Sequence, residues 1–563
     1  MNPLNTPHQR QTHQQRGMAL VAATIFLAIA TLVLGALSVR AITQSRQVTQ
    51  YVNYVETFQG AESASAVAKA NLEAGNPNGV GLGAWTPSFD NGAFVMPTWD
   101  AVDPIPMPGN PSVEFMAAVH AWGNDGIDNN GNGLVDDTLE QDTFVIHAFS
   151  RQAGVTRQTE TVLRGFDVNV WRNAIFGGAG QAGGLINGNV RIHGSIHLLG
   201  NNILPGNVAV AAMDLSGTSL VRNNYVGLSN DLRNRIVDPP VAIVDGNVVE
   251  TLEARLRVRQ GRVGLSGNSQ IGEPASLGGG VKRTMDATLN NEGWTGNQVT
   301  LDGDRNIPNN NVFSDNGHTA SYDLGNRVEL PFLDSDWRDY FTGATVTNPN
   351  TGVNYTHEEY FNEVLTGPAL TGNITIRQNQ NFYYNATRPN DSNPANRQPN
   401  DDFIYYNASN QLMEINGQIR INGNLHIDRG SGNQRTINYT GKAAILVYGD
   451  VTLDVNLLAQ NADGTTTNAY PNNVFGIMAS NNMTVGSNAQ LTLMGAFYAQ
   501  NTLRTLRQTT VIGSFVSNYF DMGTNVPSIY QVPSLADNLP LGMIGAYPIL
   551  VFNQVAWREI GVP

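Results

Sequence analysis

The sequence predicts an α+β fold, in which a long N-terminal helix and a small antiparallel sheet precede a large all-β domain that is β-solenoid-like. Three patterns support this prediction. An uncharged apolar stretch runs from Met18 to Val39, and residues at helical spacing follow it. Residues 143–164 form two strand-like runs around Ala153-Gly154, and polar and apolar residues alternate through the second run, which is typical of a β-hairpin. Short apolar triplets that end in Gly recur between residues 185 and 516, as in coils of stacked strands.

The composition limits what the chain can be. Its 563 residues predict two or three domains. The chain has no Cys, which excludes disulfides, thiolate metal sites and Cys nucleophiles. With 58 Gly and only 14% charged residues, it favours strands joined by tight turns. The formal net charge is −14, and it is −16 without residues 1–17, which argues against bulk attraction to nucleic acid but leaves a local basic patch open.

The apolar stretch is long enough to cross a bilayer. A helix from Met18 to Val39 is ~33 Å long, and the hydrocarbon core of a bilayer is ~30 Å thick. The leader before it carries Arg10 and Arg16 and no acid, so the leader is expected in the cytoplasm and the chain beyond about residue 40 outside. No A-x-A-like cleavage site follows, so an ordinary secretory signal peptide fits poorly.

Two motifs point to a family. The run from Arg16 to Leu20, followed by the apolar stretch, resembles the class III leader of type IV prepilins. This resemblance implies that a prepilin peptidase cuts between Gly17 and Met18 and that the new terminus is N-methylated. The fifth residue after the cut is Ala22, where most major pilins have Glu. PilX-like minor pilins and the K-type pseudopilins of type II secretion commonly lack that Glu.

The second motif is Phe58-Gln-Gly-Ala-Glu-Ser-Ala64, which is similar to the F-Q-A-A-E-S/A-A run of PilX-like proteins. The two motifs together cover about residues 16–75. The alternative interpretation is a plain single-pass anchor with no role in a filament.

The helix is expected to span 18–73, a length of ~84 Å, because an amphipathic stripe continues beyond the apolar stretch. Its first half would lie in the membrane or in a filament core, and its second half would lay its apolar face on a sheet. Gly75-Asn76-Pro77 is expected to end it. The stripe consists of Val48, Tyr51, Val52, Val55, Phe58, Glu62, Ala66 and Ala70.

Residues 125–140 predict a calcium site. Side chains at positions 1, 3, 5 and 9 of a D-x-[DN]-x-[DN]-G loop, with a carbonyl at position 7, supply the oxygen ligands that Ca²⁺ prefers. Position 12 is Leu139 instead of Glu, so the loop is not a complete EF-hand. The missing ligand would come from Asp137, Glu140 or Asp125, and the alternative is a turn without metal. The predicted ligands are Asp128, Asn130, Asn132, Leu134 and Asp136.

The domain boundaries follow from these elements and from the resemblance. Residues 1–17 form the leader, and 18–170 form a pilin-like domain that includes the hairpin 143–164. Residues 171–530 form the β-solenoid-like passenger domain, with a long insertion at about 215–410, and a β-sandwich is the alternative architecture. Residues 531–563 are expected to pack back on a core.

No enzyme motif is present in the sequence, so no catalytic residue and no enzymatic activity are predicted. His193 and His197 lie two alternations apart in a strand-like run and could share a face and bind a metal. Because no acidic residue lies nearby, surface imidazoles are the expected interpretation.

A basic stretch predicts contact with DNA. On a strand, Arg255, Arg257 and Arg259 would share one exposed face while Leu256 and Val258 face the core. Such a row suits a phosphate backbone, and the alternative is a solubilising face. The candidate DNA-binding residues are Arg255, Arg257, Arg259, Arg262, Arg504 and Arg507.

The resemblance implies a minor pilin of a type IV pilus, located in the inner membrane before assembly and then at the cell surface. Its expected partners are prepilin peptidase, the inner-membrane pilus machinery, and other minor and major pilins. Because position 22 is Ala and lacks a carboxylate, the subunit suits the end of a fibre, where the subunit would help to prime assembly. The β domain would then bind double-stranded DNA during transformation. The alternatives are an adhesin that binds a surface ligand and not DNA, and a K-type pseudopilin.

Overall fold

The computed structural model describes residues 9–73, 76, 78–86, 89–90, 93–95, 97–124, 127, 143–181, 190–204, 210–244, 247–252, 254–265, 270–271, 286–287, 313–314, 328–340, 343–430, 435–487, 489–522 and 527–560. It divides the chain into two compact units. The helix-and-sheet unit consists of residues 1–165 and 552–563, and the inserted unit consists of residues 166–551.

The described residues form three α-helices and 33 strands. The helices are α1 (Gln9–Glu73), α2 (Asn230–Arg235) and α3 (His357–Tyr360). The first strands in chain order are β1 (Phe89–Asp90), β2 (Ala93–Phe94), β3 (Ile105–Met107), β4 (Asn110–Ala121), β5 (Thr143–Gln152), β6 (Val155–Asp167), β7 (Ile175–Gln181), β8 (Arg191–His193), β9 (Ile196–Leu198), β10 (Ala211–Leu215), β11 (Leu220–Arg222), β12 (Val241–Val244), β13 (Asn247–Glu250), β14 (Leu256–Val258), β15 (Arg262–Leu265), β16 (Gln270–Ile271), β17 (Asp286–Ala287) and β18 (Phe313–Ser314). The remaining strands are β19 (Leu370–Thr371), β20 (Ile374–Arg377), β21 (Phe382–Asn385), β22 (Phe403–Asn407), β23 (Leu412–Asn422), β24 (Leu425–Asp428), β25 (Thr436–Val447), β26 (Val451–Leu453), β27 (Asn456–Ala459), β28 (Val474–Ala479), β29 (Met483–Val485), β30 (Leu491–Thr505), β31 (Thr509–Asp521), β32 (Ser528–Tyr530) and β33 (Leu550–Ile560).

The second half of α1 packs on the sheet through small side chains. The buried face consists of residues three or four positions apart, as helical geometry requires, and not of the stripe that the sequence indicated. Ala66 and Ala70 of that stripe are exposed, because the sheet contacts a neighbouring face on which small residues allow close approach. The buried residues of this face are Thr57, Ala61, Ala64, Ala68 and Leu72.

Gly60 shows how close this approach is. A Cβ at this position would lie 2.7 Å from Val113 Cγ1 and 2.9 Å from Ser150 Cβ. The Ser150 hydroxyl also donates a hydrogen bond to the main-chain carbonyl of Thr57, and the hydroxyls of Ser65 and Thr161 lie 3.0 Å apart. The helix backbone therefore rests almost directly on β5.

The sheet of the helix-and-sheet unit has the strand order β3-β4-β5-β6-β33. The pairs β3–β4, β4–β5 and β5–β6 are antiparallel, and the β5–β6 hairpin pairs Thr143 with Arg164 at its open end. Its turn places Ala153 and Gly154 at positive φ, as a two-residue hairpin turn requires. The last strand comes from the C-terminus. The sequence indicated only that this segment packs back on a core, because its pairing partner lies far away in the chain.

Most strands of the inserted unit pair in parallel, as rungs of a stack, although β21, β22 and β23 pair antiparallel. β25 pairs in parallel with β23 over ten residues and with β28 on its other side, and β30 pairs in parallel with β31 over most of its length. Face-to-face sandwiches are typically antiparallel, so this pairing differs from the alternative architecture. Together, the long N-terminal helix, the antiparallel sheet and the large all-β unit confirm the predicted α+β class.

The chain enters the stack of rungs in its middle. β31 pairs with β30 on one side and with β7 on the other, and β8 stacks on β32. Rungs from the start of the unit therefore continue the stack formed by its end. The two ends of the unit meet, since the amide of Val168 donates to the carbonyl of Ile549 (2.9 Å) and the amide of Ile549 donates to Asp167 Oδ1 (2.9 Å). Adjacent ends are what allows a unit to be inserted into another domain.

A ladder of amide and carboxylate side chains connects successive rungs. Asn373 Oδ1 accepts from the amide of Asn424 (3.0 Å), and Asn424 Oδ1 accepts from the amide of Asp450 (2.9 Å). Asp450 Oδ1 in turn accepts from the amide of Asn482 (3.1 Å). Each of these residues directly precedes a short strand, so the ladder explains why Gly-Asn or Gly-Asp recurs before the apolar triplets.

Candidate functional site

The first half of α1 exposes apolar side chains on every side. Met18 is 75% exposed and Phe26 is 76% exposed, and the helix is uncharged from Met18 to Val39. A helix that is apolar all round is stable only when lipid or protein covers it, because exposed apolar surface is unfavourable in water. This half of α1 is therefore long and apolar enough to cross a membrane.

The Gly17–Met18 bond lies at the start of this apolar surface. A Cβ at Gly17 would meet no atom within 4 Å, so no neighbouring part of the described chain covers the bond. Gly35 lies in the same helix and has the same open surroundings. The structure thus leaves the predicted processing bond accessible, while processing itself stays a prediction.

The motif of residues 58–64 contacts both the sheet and the last strand. Gly60, Ala61 and Ala64 are the small residues that face the sheet. Phe58 packs edge-on against Trp557 of β33, with ring centroids 6.1 Å apart, and Glu62 Oε1 accepts a hydrogen bond from Trp557 Nε1 (2.8 Å). Trp557 belongs to the C-terminal segment that was expected to pack back on a core, and its contact with the helix is visible only once β33 is paired.

Charged groups hold β33 to its neighbours. Arg157 Nη1 lies 3.1 Å from Glu559 Oε1, and its guanidinium lies 3.5 Å from the centre of the Tyr54 ring. Arg558 Nε lies 2.7 Å from Glu160 Oε1, a pairing that raises the pKa of Arg558. The C-terminal strand is therefore held by ion pairs as well as by its position in the sheet.

The structure corrects the expected row of exposed arginines. Leu256 and Val258 are buried as expected, but Arg257 is also buried, with 5% exposure, because β14 lies inside the stack and pairs Arg257 with His197 of β9. This burial lowers the pKa of the Arg257 guanidinium to about 9. Arg257 therefore cannot belong to an exposed row of cations.

The other predicted DNA-binding arginines have different surroundings. Arg259 Nη1 forms an ion pair with Glu329 (2.7 Å), and Arg504 Nε forms one with Asp521 (2.8 Å). Arg255 is half-buried and Arg507 is exposed. The side chain of Arg262, in β15, lies outside the described residues.

The two histidines of residues 191–198 are core residues and not surface imidazoles. Gly194, with φ +135°, separates the two short strands that carry them, and both rings are buried. His193 Nδ1 contacts the carbonyl of Asn224 (2.5 Å), and its ring stacks on Tyr530. Burial lowers the pKa of His193 to about 4 and that of His197 well below its ordinary value, so both are neutral at pH 7.

The predicted calcium ligands Asp128, Asn130, Asn132, Leu134 and Asp136 lie outside the described residues, and calcium binding stays a prediction. Among the described residues, no group of three or more His, Asp or Glu side chains is arranged to hold a metal ion.

Comparison with solved structures adds a likeness in fold. No protein family matches the sequence, and no curated protein matches it either. Among solved structures, the chain is similar to the competence-associated pilin ComZ from Thermus thermophilus, with a TM-score of 0.47 and 16% sequence identity. The likeness covers 90% of this chain and 97% of ComZ.

Proposed function

We propose that this chain is a minor pilin of a type IV pilus. The observation that carries the proposal is the division of α1, whose first half is apolar on all sides and whose second half lies on an antiparallel sheet. Such a helix suits a subunit that is anchored in the inner membrane before assembly and then enters a filament, where neighbouring helices cover its apolar half. The proposed partners are prepilin peptidase, the inner-membrane pilus machinery, and other minor and major pilins.

A position at the pilus tip, at the cell surface, follows from two features. The chain has Ala22 where a buried carboxylate would neutralise the terminal amine of an adjoining subunit, and the end of a fibre lacks one such neighbour. The inserted unit, which we interpret as a β-solenoid, is also larger than the helix-and-sheet unit that carries it. A tip can accommodate a unit of this size without clashes between successive subunits.

Processing tests the proposal directly. Mass spectrometry of the membrane-bound protein is expected to find a chain that starts at an N-methylated Met18. Gly17→Val should block cleavage, whereas Gly35→Val is the matched control, because both glycines lie in α1 with no neighbour near a Cβ. An intact leader on the unmutated protein, in cells with active prepilin peptidase, would refute the pilin function and leave the plain membrane anchor.

A second proposal concerns the ligand of the inserted unit. We propose double-stranded DNA, contacted by the exposed Arg507 and also by Arg504 and the half-buried Arg255, whereas the buried Arg257 is excluded. A surface ligand, as in an adhesin, is the alternative outcome of the DNA-binding test below. A K-type pseudopilin would share the apolar helix and the cleavage after Gly17. It would, however, be a subunit of secretion complexes and not of pili, so its deletion would affect secretion complexes and leave pili unchanged.

A further inference from the structure

The two edges of the sheet in the helix-and-sheet unit differ in how they resist pairing with another strand. The edge strand β3 has three residues, and Pro104, Pro106 and Pro108 occupy alternate positions in and beside it. Its register with β4 also shifts between Pro106 and Met107. Proline, short length and irregular register are the devices by which natural sheets protect an edge.

The opposite edge is neither short nor interrupted by proline. β33 has eleven residues, contains neither Pro nor Lys, and ends the strand order after β6 within the described sheet. Residues 554–558 are all exposed, with Val555 at 65% and Trp557 at 41%. The charged side chains that would normally guard such an edge, Arg558 and Glu559, are paired with Glu160 and Arg157 of the same sheet.

The exposed apolar part of β33 continues onto α1. Trp557 contacts Phe58, and the same helix exposes Val48 and Tyr51 in the turns before it. These helix residues border the surface that the proposed filament role covers with other subunits. The open strand edge and the helix surface therefore form one continuous area in which a neighbouring subunit can dock.

We propose that the edge of β33 binds, by antiparallel β-addition, an edge strand of a different pilin subunit. The proposal rests on the minor-pilin function above and names the kind of partner that this chain recruits. Main-chain hydrogen bonds along the open edge would supply the affinity. Val555 and Trp557, which are two residues apart and therefore lie on the same face of β33, would supply apolar contacts. Antiparallel pairing is favoured because it is more stable per residue than parallel pairing.

Strand direction excludes a second copy of this chain as the antiparallel partner. Trp557 contacts Phe58 and Glu62, whereas Glu559 lies beside Tyr54, so β33 runs opposite to α1. If two β33 strands paired antiparallel, the two α1 helices would point in opposite directions and could not share one membrane.

The β3 edge of a second copy cannot be the antiparallel partner of β33 either. The β6–β33 pair is also antiparallel, because the contacts Arg157–Glu559 and Glu160–Arg558 run in opposite order along the two strands. The five strands therefore alternate in direction, so β3 and β33 run the same way, and β3 is protected by proline. A copy rotated about the membrane normal would therefore offer only parallel pairing. The partner must be a pilin whose edge strand runs in the same direction as its own N-terminal helix.

Site-specific photo-crosslinking in pilus-forming cells tests this proposal on the full chain. Benzoyl-phenylalanine in place of Val555 is expected to crosslink to an edge strand of another pilin, as identified by mass spectrometry of the joined peptides. The same probe in place of Val67 is the control, because Val67 is an exposed Val on α1 of the same unit. It lies nine residues, or about 2.5 helical turns, after Phe58 and therefore on the opposite side of α1 from the contact with Trp557. Val555→Lys should reduce recovery of that subunit about ten-fold, corresponding to about 1.4 kcal/mol, and Val67→Lys should not.

The outcomes separate this proposal from the one on which it rests. A crosslink between residues 550–560 of two copies, a crosslink to a protein that is not a pilin, or equal yields from the two positions would overturn β-addition by a different pilin. If the chain is cleaved at Gly17–Met18 in those cells, the minor-pilin function would stand after such a result. An uncleaved chain would instead show that the proposed function itself has failed.

Discussion

The side-chain oxygen of Gln531 accepts a hydrogen bond from the main-chain amide of Ser195 across 2.6 Å, although 336 positions separate the two residues. The side-chain amide of Gln531 donates to the carbonyl of Arg172 (2.8 Å), and its main-chain amide donates to the carbonyl of His193 (2.8 Å). Its own carbonyl accepts from the Tyr225 hydroxyl (2.7 Å). One buried residue thus joins the rungs from the start of the inserted unit to the rungs from its end.

Replacing Gln531 should lower the stability of the inserted unit, even when the new side chain has a similar volume. Gln531→Leu keeps most of the volume but leaves the amide of Ser195 and the carbonyl of Arg172 without this partner in a buried position. We expect a loss of about 2–4 kcal/mol in the free energy of unfolding of the inserted unit. Chemical denaturation measures this loss. Gln554→Leu, at an exposed position of β33, is the control, and equal effects of the two substitutions would contradict the role of the junction.

Gly60 predicts a second stability difference. Ala normally stabilises a helix interior by about 1 kcal/mol relative to Gly, but overpacking typically costs about 1–3 kcal/mol. Because Val113 and Ser150 both approach the site of the added Cβ, we expect Gly60→Ala to lower the melting temperature of the full-length protein in detergent. Gly35→Ala, in the same helix with open surroundings, should leave it unchanged or raise it. A stabilised Gly60→Ala variant would show that the helix does not rest on the sheet this closely.

The pair formed by His426 and Asp454 predicts a dependence of stability on pH. His426 Nε2 lies 3.1 Å from Asp454 Oδ2, and this hydrogen bond raises the pKa of His426. A raised pKa in the folded state stabilises the fold below the unfolded pKa of about 6.5, and this stabilisation is lost as the pH rises through the folded pKa. His426→Gln should therefore reduce the melting temperature at pH 5.5 but have less effect at pH 8.

The comparison with the parent protein at each pH is essential, because other histidines act in the opposite direction. Burial lowers the pKa of His193 to about 4 and that of His357 to about 3. Their neutral rings stabilise the fold above the unfolded pKa of about 6.5, and this stabilisation is lost as the pH falls. The parent protein is thus expected to weaken in acid overall. An effect of His426→Gln that is the same at both pH values would mean that the pair is not ionic.

The elements that local sequence determines were predictable. The apolar stretch and the 3.6-residue periodicity specify α1, and the alternation around Ala153-Gly154 specifies the β5–β6 hairpin. The pairing of β33 with β6 and the junction at Gln531 were not, because each joins residues hundreds of positions apart and no local pattern encodes such contacts. The buried face of α1 differs from the predicted apolar stripe for a similar reason, because contact with the sheet buries small residues and not the largest apolar ones.

The candidate sites show a related limit. Alternation correctly placed Leu256 and Val258 in the core, but it assumed that the other face of the strand is solvated. In a stack of rungs both faces of a strand can be covered, and this is why Arg257, His193 and His197 are buried. Residue type alone cannot distinguish a solvated cation from a buried one. The pairing of Arg257 with His197 of β9 makes the distinction, because it places Arg257 inside the stack.

Arginine substitutions distinguish DNA binding from a structural role. Arg507 is exposed, whereas Arg504 is paired with Asp521, so Arg507→Gln should weaken binding of duplex DNA more than Arg504→Gln does. If Arg507 contacts a phosphate, its loss should reduce the salt slope of binding by about one. Fluorescence anisotropy across a salt series measures this slope for the protein without its membrane-spanning segment. Arg257→Gln, at a buried position, should instead lower the unfolding midpoint of the inserted unit.

A chain that begins at Met18 would carry a net charge of −16, so any attraction to DNA must come from a local patch and should be weak and salt-sensitive. A parent protein that binds no duplex DNA at low salt would exclude the DNA proposal, because electrostatic attraction is then at its strongest. Binding that survives Arg507→Gln with an unchanged salt slope would place the contact elsewhere on the inserted unit. The first result would favour an adhesin, whereas the second would keep DNA as the ligand and exclude only Arg507 as its contact.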